Sequence, residues 1–374
     1  MEVAVIGGGI VGLFTAYYLL KEGANVTIYE KAFLGNGSVH AAGLIEPYRF
    51  DKINSVAMIR KMLKYKKLGV TDIKSVNTSW LFALLAELER PAPSEAWEIM
   101  RSMASFSLRE YKNLAEEKND FDYEESGLLE LYYDKNALEK AIEEEKQSPF
   151  KPKFEVIDVK NFAGGVYFPE LSKVDTFKFI DRITREIAKA KVIIKEVGRV
   201  TSNGVIDGGE KYDRVVLASG ISLRKFGLPV MAFKGYGYRV KGNINIGVNY
   251  PFVLAEYGVA VAKNTDNIKI TGGFDADFSD DSSRAEFFLS MASKVVDINY
   301  VYDLTMGYRP CSPDGFPIIG QYDSLVFSTG ACRLGWSFAP AMGKMTSDMV
   351  LGRVSSYGYL SRYISGRNLR VDSR

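Results

Sequence analysis

The chain opens with MEVAVIGGGIVG, in which an apolar run from Val3 to Ile6 is followed at once by glycines at positions 7, 9 and 12. Apolar residues recur at Ile10, Val11, Leu13, Phe14, Tyr17, Tyr18, Leu19 and Leu20, the spacing of a helix packed on a sheet, and Gly23 ends the pattern. A second apolar strand, Asn25 to Tyr29, closes on Glu30, 23 positions beyond Gly7. A lone GxGxxG says little, because glycines are common in turns. Here it follows a strand, opens a helix and is answered by an acid at the end of the next strand, the setting of a dinucleotide site. Gly7 permits the tight turn, Gly9 lets the backbone approach a pyrophosphate, and Gly12 lets helix and strand pack closely. The first helical residues, Ile10 and Val11, present free N–H groups and the positive end of the helix dipole to the phosphates. Glu30 accepts hydrogen bonds from a ribose diol, and Lys31 follows it. The competing reading is a glycine-rich turn that holds no ligand. A strand beginning at Val3 leaves no room for a signal peptide, so a cytoplasmic location is expected.

Composition narrows the chemistry. A length of 374 residues implies two domains, or one with a large insertion. With 47% hydrophobic and 25% charged residues the chain reads as globular and not membrane-spanning, and a net charge of +2 gives no case for nucleic acid. His40 is the single histidine and Cys311 and Cys332 are the only cysteines, too few and too scattered for a recognisable zinc site. His40 lies among small residues and not beside a nucleophile elbow, which argues against a Ser-His-Asp triad. A disulfide-rich scaffold is excluded too. Only Gln147 and Gln321 are glutamines, and this scarcity beside abundant Lys, Arg and Glu resembles a thermophile's composition.

After Lys31 comes FLGNGSVHAAGLIEP, whose small residues let backbone amides reach a flat ligand; Ser38, His40, Ala41, Ala42, Gly43 and Leu44 are its candidate contacts. Much later YDRVVLASG forms an apolar strand ending in Ala218, Ser219 and Gly220. The segment GYRPCSPDGFPIIG (307–320) and the stretch GACRLGWSFAPAMGKMTSD (330–348) complete the set. In this order the elements resemble the FAD-dependent D-amino acid oxidase superfamily, in particular glycine oxidases, D-amino acid dehydrogenases and the sarcosine and dimethylglycine dehydrogenases. The motifs are specific to the superfamily and not to one substrate.

The resemblance implies an α/β fold: a Rossmann-like FAD-binding domain of the glutathione-reductase type plus an α+β substrate domain with a mixed or antiparallel sheet. It implies a discontinuous FAD-binding domain at 1–80, 150–222 and 306–374, with 81–149 and 223–305 as the substrate domain. Arg309 then holds a substrate carboxylate as a bidentate pair, a task that suits the planar guanidinium fork; the bland reading is an interface salt bridge. Arg333 is a second candidate for substrate or flavin. Gly330, Leu334, Gly335 and Trp336 belong near the flavin pyrimidine, where a helix N-terminus stabilises negative charge. Val197 joins the cofactor set by the same resemblance. Tyr236 and Tyr238, of equal parity on the strand after a Lys-Gly pair, are expected to point inward over the flavin; the bland reading is a core strand built with aromatics.

His40 sits in SVHAAGL, similar to the stretch through which dimethylglycine dehydrogenases bond FAD covalently. Noncovalent FAD is the expectation, and a covalent link through His40 the alternative. The cysteine that attaches flavin in monomeric sarcosine oxidases falls at Gly307 and not at Cys311, and Cys332 reads as a small packed residue. Lys269 lies near the oxygen-activating lysine of a sarcosine oxidase, but is expected to be a solvated strand lysine.

Elsewhere, SEAWEIMRSMASFSLREYKNL reads as an amphipathic helix after Pro91 and Pro93, and LEKAIEEEK as a solvated helix face. Residues 231–275 alternate like antiparallel strands. The apolar cluster WLFALL (80–85) is expected in the core, with docking to the inner membrane face or a partner as the alternative. The final SGRNLRVDSR is expected to be a mobile tail. The expected activity is oxidation of the C–N bond of a small, N-methylated or cyclic amino acid to an imine, by hydride transfer to the flavin, with O2, a quinone or a partner protein as acceptor. The alternatives are a flavoprotein subunit of a larger dehydrogenase assembly and an FAD enzyme of 2-hydroxy acids.

Overall fold

A computed structural model describes residues 1–365 and 369–371. The N-terminal pattern folds as read: β1 (Glu2–Ile6), α1 (Ile10–Lys21) and β2 (Asn25–Glu30), with Gly23 left-handed at φ 80° where the helix turns back. A loop leads through β3 (Leu44–Ile45) to α2 (Val56–Lys67), α3 (Thr78–Ala86) and the long α4 (Ser94–Glu117). Helix α4 buries Ala96, Met100, Met103, Ala104, Ser107, Tyr111 and Leu114, a stripe at spacings of three and four. Then follow β4 (Leu128–Tyr132), α5 (Lys135–Lys146), β5 (Glu155–Ile157), β6 (Gly164–Phe168), β7 (Ser172–Lys173), α6 (Thr176–Glu186), β8 (Lys191–Ile194) and β9 (Arg214–Leu217). The second half runs β10 (Met231–Ile244), β11 (Phe252–Leu254), β12 (Val259–Lys263), β13 (Ile268–Ala276), α7 (Ala285–Ala292), β14 (Val296–Cys311), β15 (Ile318–Tyr322), β16 (Leu325–Thr329) and α8 (Gly335–Val350).

These elements form two main sheets. The first has the order β15-β16-β9-β1-β2-β8, parallel except for the β15–β16 hairpin. Helices α1, α4, α6 and α8 share a core over one face, where Phe14, Tyr111, Phe179 and Trp336 meet. Gly343 in α8 has no side chain because a Cβ there would stand 2.6 Å from that of Phe14. The second sheet has the order β14-β10-β13-β12-β11-β4-β6-β5 and is antiparallel apart from the β11–β4 pair. Helix α7 covers one of its faces. The other face is turned toward the first sheet: a Cβ at Gly237 would lie 3.2 Å from the carbonyl of His40.

Three expectations change. Residues 155–168, assigned by sequence to the FAD-binding part, join the edge of the second sheet, because β6 takes a complete antiparallel register against Leu128–Tyr132 and β5 pairs with β6. WLFALL splits: Trp80 and Leu84 are buried, whereas Leu81, Phe82 and Leu85 are exposed, because α3 packs by one face only. The end of the chain is tied down where described. Leu369 and Val371 pack against the core under the first sheet, and the Arg370 amide donates to the Phe226 carbonyl at 2.9 Å. The remaining residues of the expected tail beyond Ser365 lie outside the described ones.

Candidate functional site

The glycine turn after β1 is built for close approach. Gly7 takes φ 108°, and a Cβ on it would lie 2.6 Å from the Ala218 carbonyl oxygen and 2.8 Å from the Ser219 Cα, so β9 delivers its Ala-Ser-Gly end against the turn. A Cβ on Gly12 would strike the Gly7 carbonyl oxygen at 1.9 Å, which leaves no alternative to glycine there. Ser38 reaches over from the following loop and its Oγ accepts from the Ile10 amide at 2.9 Å. Glu30 accepts from the Gly8 amide at 2.8 Å and the Ala32 amide at 3.1 Å, so its carboxylate is fixed at the end of β2. Helix α1 has no acidic residue in its first turn, and apart from the Ile10 amide taken by Ser38 its electropositive end suits an anion.

The loop from Ser38 to Leu44 is pinned from three sides. The Trp336 indole donates to the Ser38 carbonyl at 2.9 Å, a Cβ on Gly43 would meet the Val174 carbonyl oxygen at 2.1 Å, and Leu44 pairs with Lys173. Ala41 and Ala42 pack against separate core clusters, Leu334 is buried, Lys31 is exposed and Val197 packs on the core under β1 and β9. Gly330 (φ 85°) and Gly220 (φ 58°) make the turns that free the ends of β16 and β9. A Cβ on Gly335 would meet nothing within 4 Å, so α8 starts at open space without a side-chain cap. His40 lies against the second sheet: a Cβ on Gly307 would stand 3.0 Å from its Cβ. Among the described residues its buried Nδ1 has no hydrogen-bond partner, and burial keeps its pKa below the usual histidine range, with the charge of Lys269 acting the same way and the Asn36 backbone opposing it. This glycine cradle, the acid-free helix end and the imidazole nitrogen fit an FAD, which the turn after β1, Glu30 and the loop from Ser38 to Leu44 would hold.

Arg309 projects from β14 onto the face turned toward the first sheet. Its guanidinium lies over Gly235, where a Cβ would come within 2.5 Å of Nη1, and Nη1 donates to the Gly273 carbonyl at 2.8 Å. Among the described residues it has no carboxylate partner. Burial, with the nearby charge of Arg333, brings its pKa down to about 10, which leaves it cationic at neutral pH. Arg333 is different: it pairs with Glu46 at 2.9 Å and Asp51 at 3.3 Å. Arg333, expected as a contact for substrate or flavin, has its fork engaged by these two carboxylates. Arg49 continues the network to Glu130 at 2.7 Å and also pairs with Glu145, so one residue of the helix expected to be solvated is buried in an ion pair.

The two tyrosines share a face, but not the expected one. Residues 235, 237 and 239 turn toward Arg309, His40 and Phe177, so Tyr236 and Tyr238 point the opposite way and join the core against α7. The Tyr236 ring stacks on Phe288 at 5.6 Å and its hydroxyl donates to Asp275 at 2.8 Å. Neither roofs the site. Lys269 is buried and not solvated: its Nζ donates to the Val39 carbonyl and, at 2.7 Å, to the Thr176 hydroxyl. Desolvation lowers its pKa to about 7, and the positive charge of Arg239 adds to the effect. Cys332, expected as a small packed residue, forms a disulfide with Cys311 across 21 positions. The Asp of the PDG motif is a structural tie: Asp314 accepts from Tyr359 at 2.8 Å and pairs with Arg362.

Sequence reasoning missed Glu46, Asp51, Gly235 and the disulfide. Glu46 and Arg333 are 287 positions apart, so nothing local marks them as partners. Gly235 was visible as half of a Lys-Gly pair, but not as the floor under Arg309.

Comparison with known proteins agrees with the geometry. Residues 2–349 match the family described as DAO, FAD dependent oxidoreductase. A D-proline dehydrogenase of Pyrobaculum islandicum is 38% identical over 358 residues, spanning 94% of this chain and 96% of that protein. A D-amino acid dehydrogenase of Helicobacter pylori is 24% identical, with 93% and 94% covered. Among solved structures, an L-proline dehydrogenase from P. horikoshii shares the fold at TM-score 0.72 and 20% identity, covering 97% of this chain and 96% of that one. A glycine oxidase from Geobacillus kaustophilus does so at TM-score 0.69 and 19% identity, covering 97% and 99%. With the family pattern matched from the first strand to the last helix, the chain belongs to the FAD-dependent oxidoreductases.

Proposed function

We propose that this flavoenzyme oxidises the C–N bond of a small amino acid, with cyclic D-amino acids of the proline class first among the candidates, to an imine. FAD, when bound, would supply the redox chemistry as acceptor of the two electrons that leave the α carbon as hydride, the amine nitrogen losing a proton. The observation that carries the substrate class is Arg309, a cationic guanidinium that among the described residues donates to one backbone carbonyl, faces the Phe274 ring and has no carboxylate partner, set over a glycine on the face that meets the cofactor loop. A substrate carboxylate completes its hydrogen bonding as a two-pronged charge-assisted pair. Phe274, Phe233, Trp80 and Ile53 lie in the apolar cluster beside it and favour a compact apolar ring or side chain over a charged one. Orientation does the main work, since a fixed carboxylate sets the α C–H relative to the cofactor and no histidine or cysteine base is required. The similarity to D-proline dehydrogenase supports the choice of substrate. FAD is held noncovalently, with His40 as a neutral loop contact.

The test is anaerobic mixing of the yellow protein with glycine, sarcosine, proline of either hand and other D-amino acids while flavin bleaching is followed. D-Proline or a small D-amino acid should bleach it; bleaching by lactate with none by amines would exclude the assignment. In Arg309→Ala, flavin content should be unchanged and kcat/KM should fall by roughly 100-fold or more, as expected when a charge-assisted pair and its orientation are lost. Normal kcat/KM in that variant would remove Arg309 from the site.

For the acceptor, we propose a site of reduction at a membrane surface. No helix among the described residues is long and apolar enough to cross a membrane. Helix α2 carries Arg60, Lys61, Lys64, Lys66 and Lys67 with no acid, and exposes Leu63. Helix α3, whose buried Trp80 and Leu84 share a core cluster with Met62 of α2, exposes Leu81, Phe82 and Leu85. Basic charge bordering outward apolar side chains suits a surface of anionic lipid, and with it a lipid-soluble quinone.

A further inference from the structure

We propose that the Cys311–Cys332 disulfide is a positioning clamp for carboxylate binding, holding the Arg309 strand and the Arg333 turn at a fixed separation. The inference rests on the reading of Arg309 given above. Cys311 is the last residue of β14, two positions after Arg309, and Cys332 immediately precedes Arg333. The bond therefore joins the two segments that carry the site's arginines, close to both side chains. Beside it, among the described residues, lie a β-bridge between Cys311 and Ala331 and the Ser312 amide donating to the Gly330 carbonyl at 3.3 Å. The turn is folded tightly to make the connection, with Gly330 at φ 85° and Cys332 itself left-handed at φ 51°, a conformation that a residue with a side chain adopts at a cost.

The charges explain why a covalent tie is useful here. Arg333 raises the energy of the cationic form of Arg309, and the carboxylates that neutralise Arg333, Glu46 and Asp51, stand on a different loop. Arg309 has no carboxylate of its own until substrate arrives. Glu46, Asp51 and Asp275 act on Arg309 in the opposite sense to Arg333, so the charges alone set no fixed separation between the end of β14 and the turn. A disulfide in the buried cluster with Ile53, Trp80, Met231 and Phe233 sets it, so Arg309 remains at the place a carboxylate must find it. The bond takes no part in the oxidation itself; its role is to preorganise.

The test uses the yellow holoenzyme and pyrrole-2-carboxylate, a flat cyclic carboxylate that cannot be oxidised at a saturated α carbon, with binding followed by the change in flavin absorbance. Thiol titration of the denatured, unreduced protein should find neither of its two cysteines free. In the double variant Cys311→Ala/Cys332→Ala, and in wild-type protein reduced with dithiothreitol, the ligand's Kd should rise by about tenfold or more, as for an anchor displaced on the order of 1 Å. Flavin content should stay the same, and the effect on the amino acid substrate should fall on KM more than on kcat. The reduced wild type decides the matter if the double variant fails to fold. An unchanged Kd once the disulfide is gone, even with a lower Tm, would show that the bond only stabilises and would overturn the clamp. Two free thiols in the unreduced protein would overturn it as well. If Arg309→Ala binds the ligand as tightly as the unreduced wild type, it is the reading of Arg309 that fails, and the clamp with it.

Discussion

Glycine 235 shows how one missing side chain shapes the site. Its backbone is not in the left-handed region, so alanine is tolerated by the main chain and the effect of substitution is confined to space. A Cβ there would meet the Arg309 Nη1 at 2.5 Å and Nη2 at 2.7 Å, and the guanidinium must swing away. Gly235→Ala should therefore raise KM for the amino acid by about tenfold or more through misplacement of the anchor. Flavin content and Tm should stay close to wild type; loss of flavin instead would mean that the residue supports the cofactor and not the arginine. Arg309 itself was legible because it stands in a motif with a fixed neighbourhood, Arg-Pro followed by Pro-Asp-Gly. Glu46 and Asp51 were not, because an ion pair between distant segments leaves no periodicity, and the same holds for Arg49 with Glu130.

Among elements, the helices and the glycine turn were readable because their patterns are local. The stripe on α4 repeats every three or four residues, and α1 lies between a strand and a glycine that stops it. Strand β10 was readable as a strand but not for direction: it is buried on both faces from Met231 to Tyr238, so hydrophobic alternation could not say which face meets the cofactor. The same ambiguity hid Lys269 on β13, a lysine that sequence treats as solvated. Its environment has a consequence for pH. The folded-state pKa is about 7 and the ordinary lysine value is 10.5, so between them the unfolded chain holds one more proton on this residue than the folded chain does. Stability from this group therefore rises as pH increases through that window, and its penalty is full and constant below it. The Tm of wild type relative to Lys269→Met should climb from neutral pH toward pH 10. A parallel pair of pH–Tm curves would show that the lysine titrates normally.

At the scale of the whole molecule, the two-sheet division was legible as a fold class, because the glycine fingerprint requires a parallel sheet and the alternating stretch after it an antiparallel one. The assignment of 155–168 was not, since strands that short gain their place only from the neighbour they pair with. The surface of α2 and α3 belongs to this scale too. Phe82 is 72% exposed, Leu63 and Leu85 are more than half exposed, and α2 brings five cations without an acid. Each cation near an anionic surface contributes about 1 kcal/mol, weakened by salt, and inserted apolar side chains add a contribution that salt does not remove. Purified protein should therefore sediment with vesicles containing phosphatidylserine or phosphatidylglycerol, and much less with vesicles of phosphatidylcholine alone. Raised salt should reduce the bound fraction, and Phe82→Glu should reduce it further while flavin content and amino acid turnover with a soluble dye remain normal. Equal recovery with charged and neutral vesicles, or none with either, would leave the basic helix as a solvated face and assign electron transfer to an acceptor in solution.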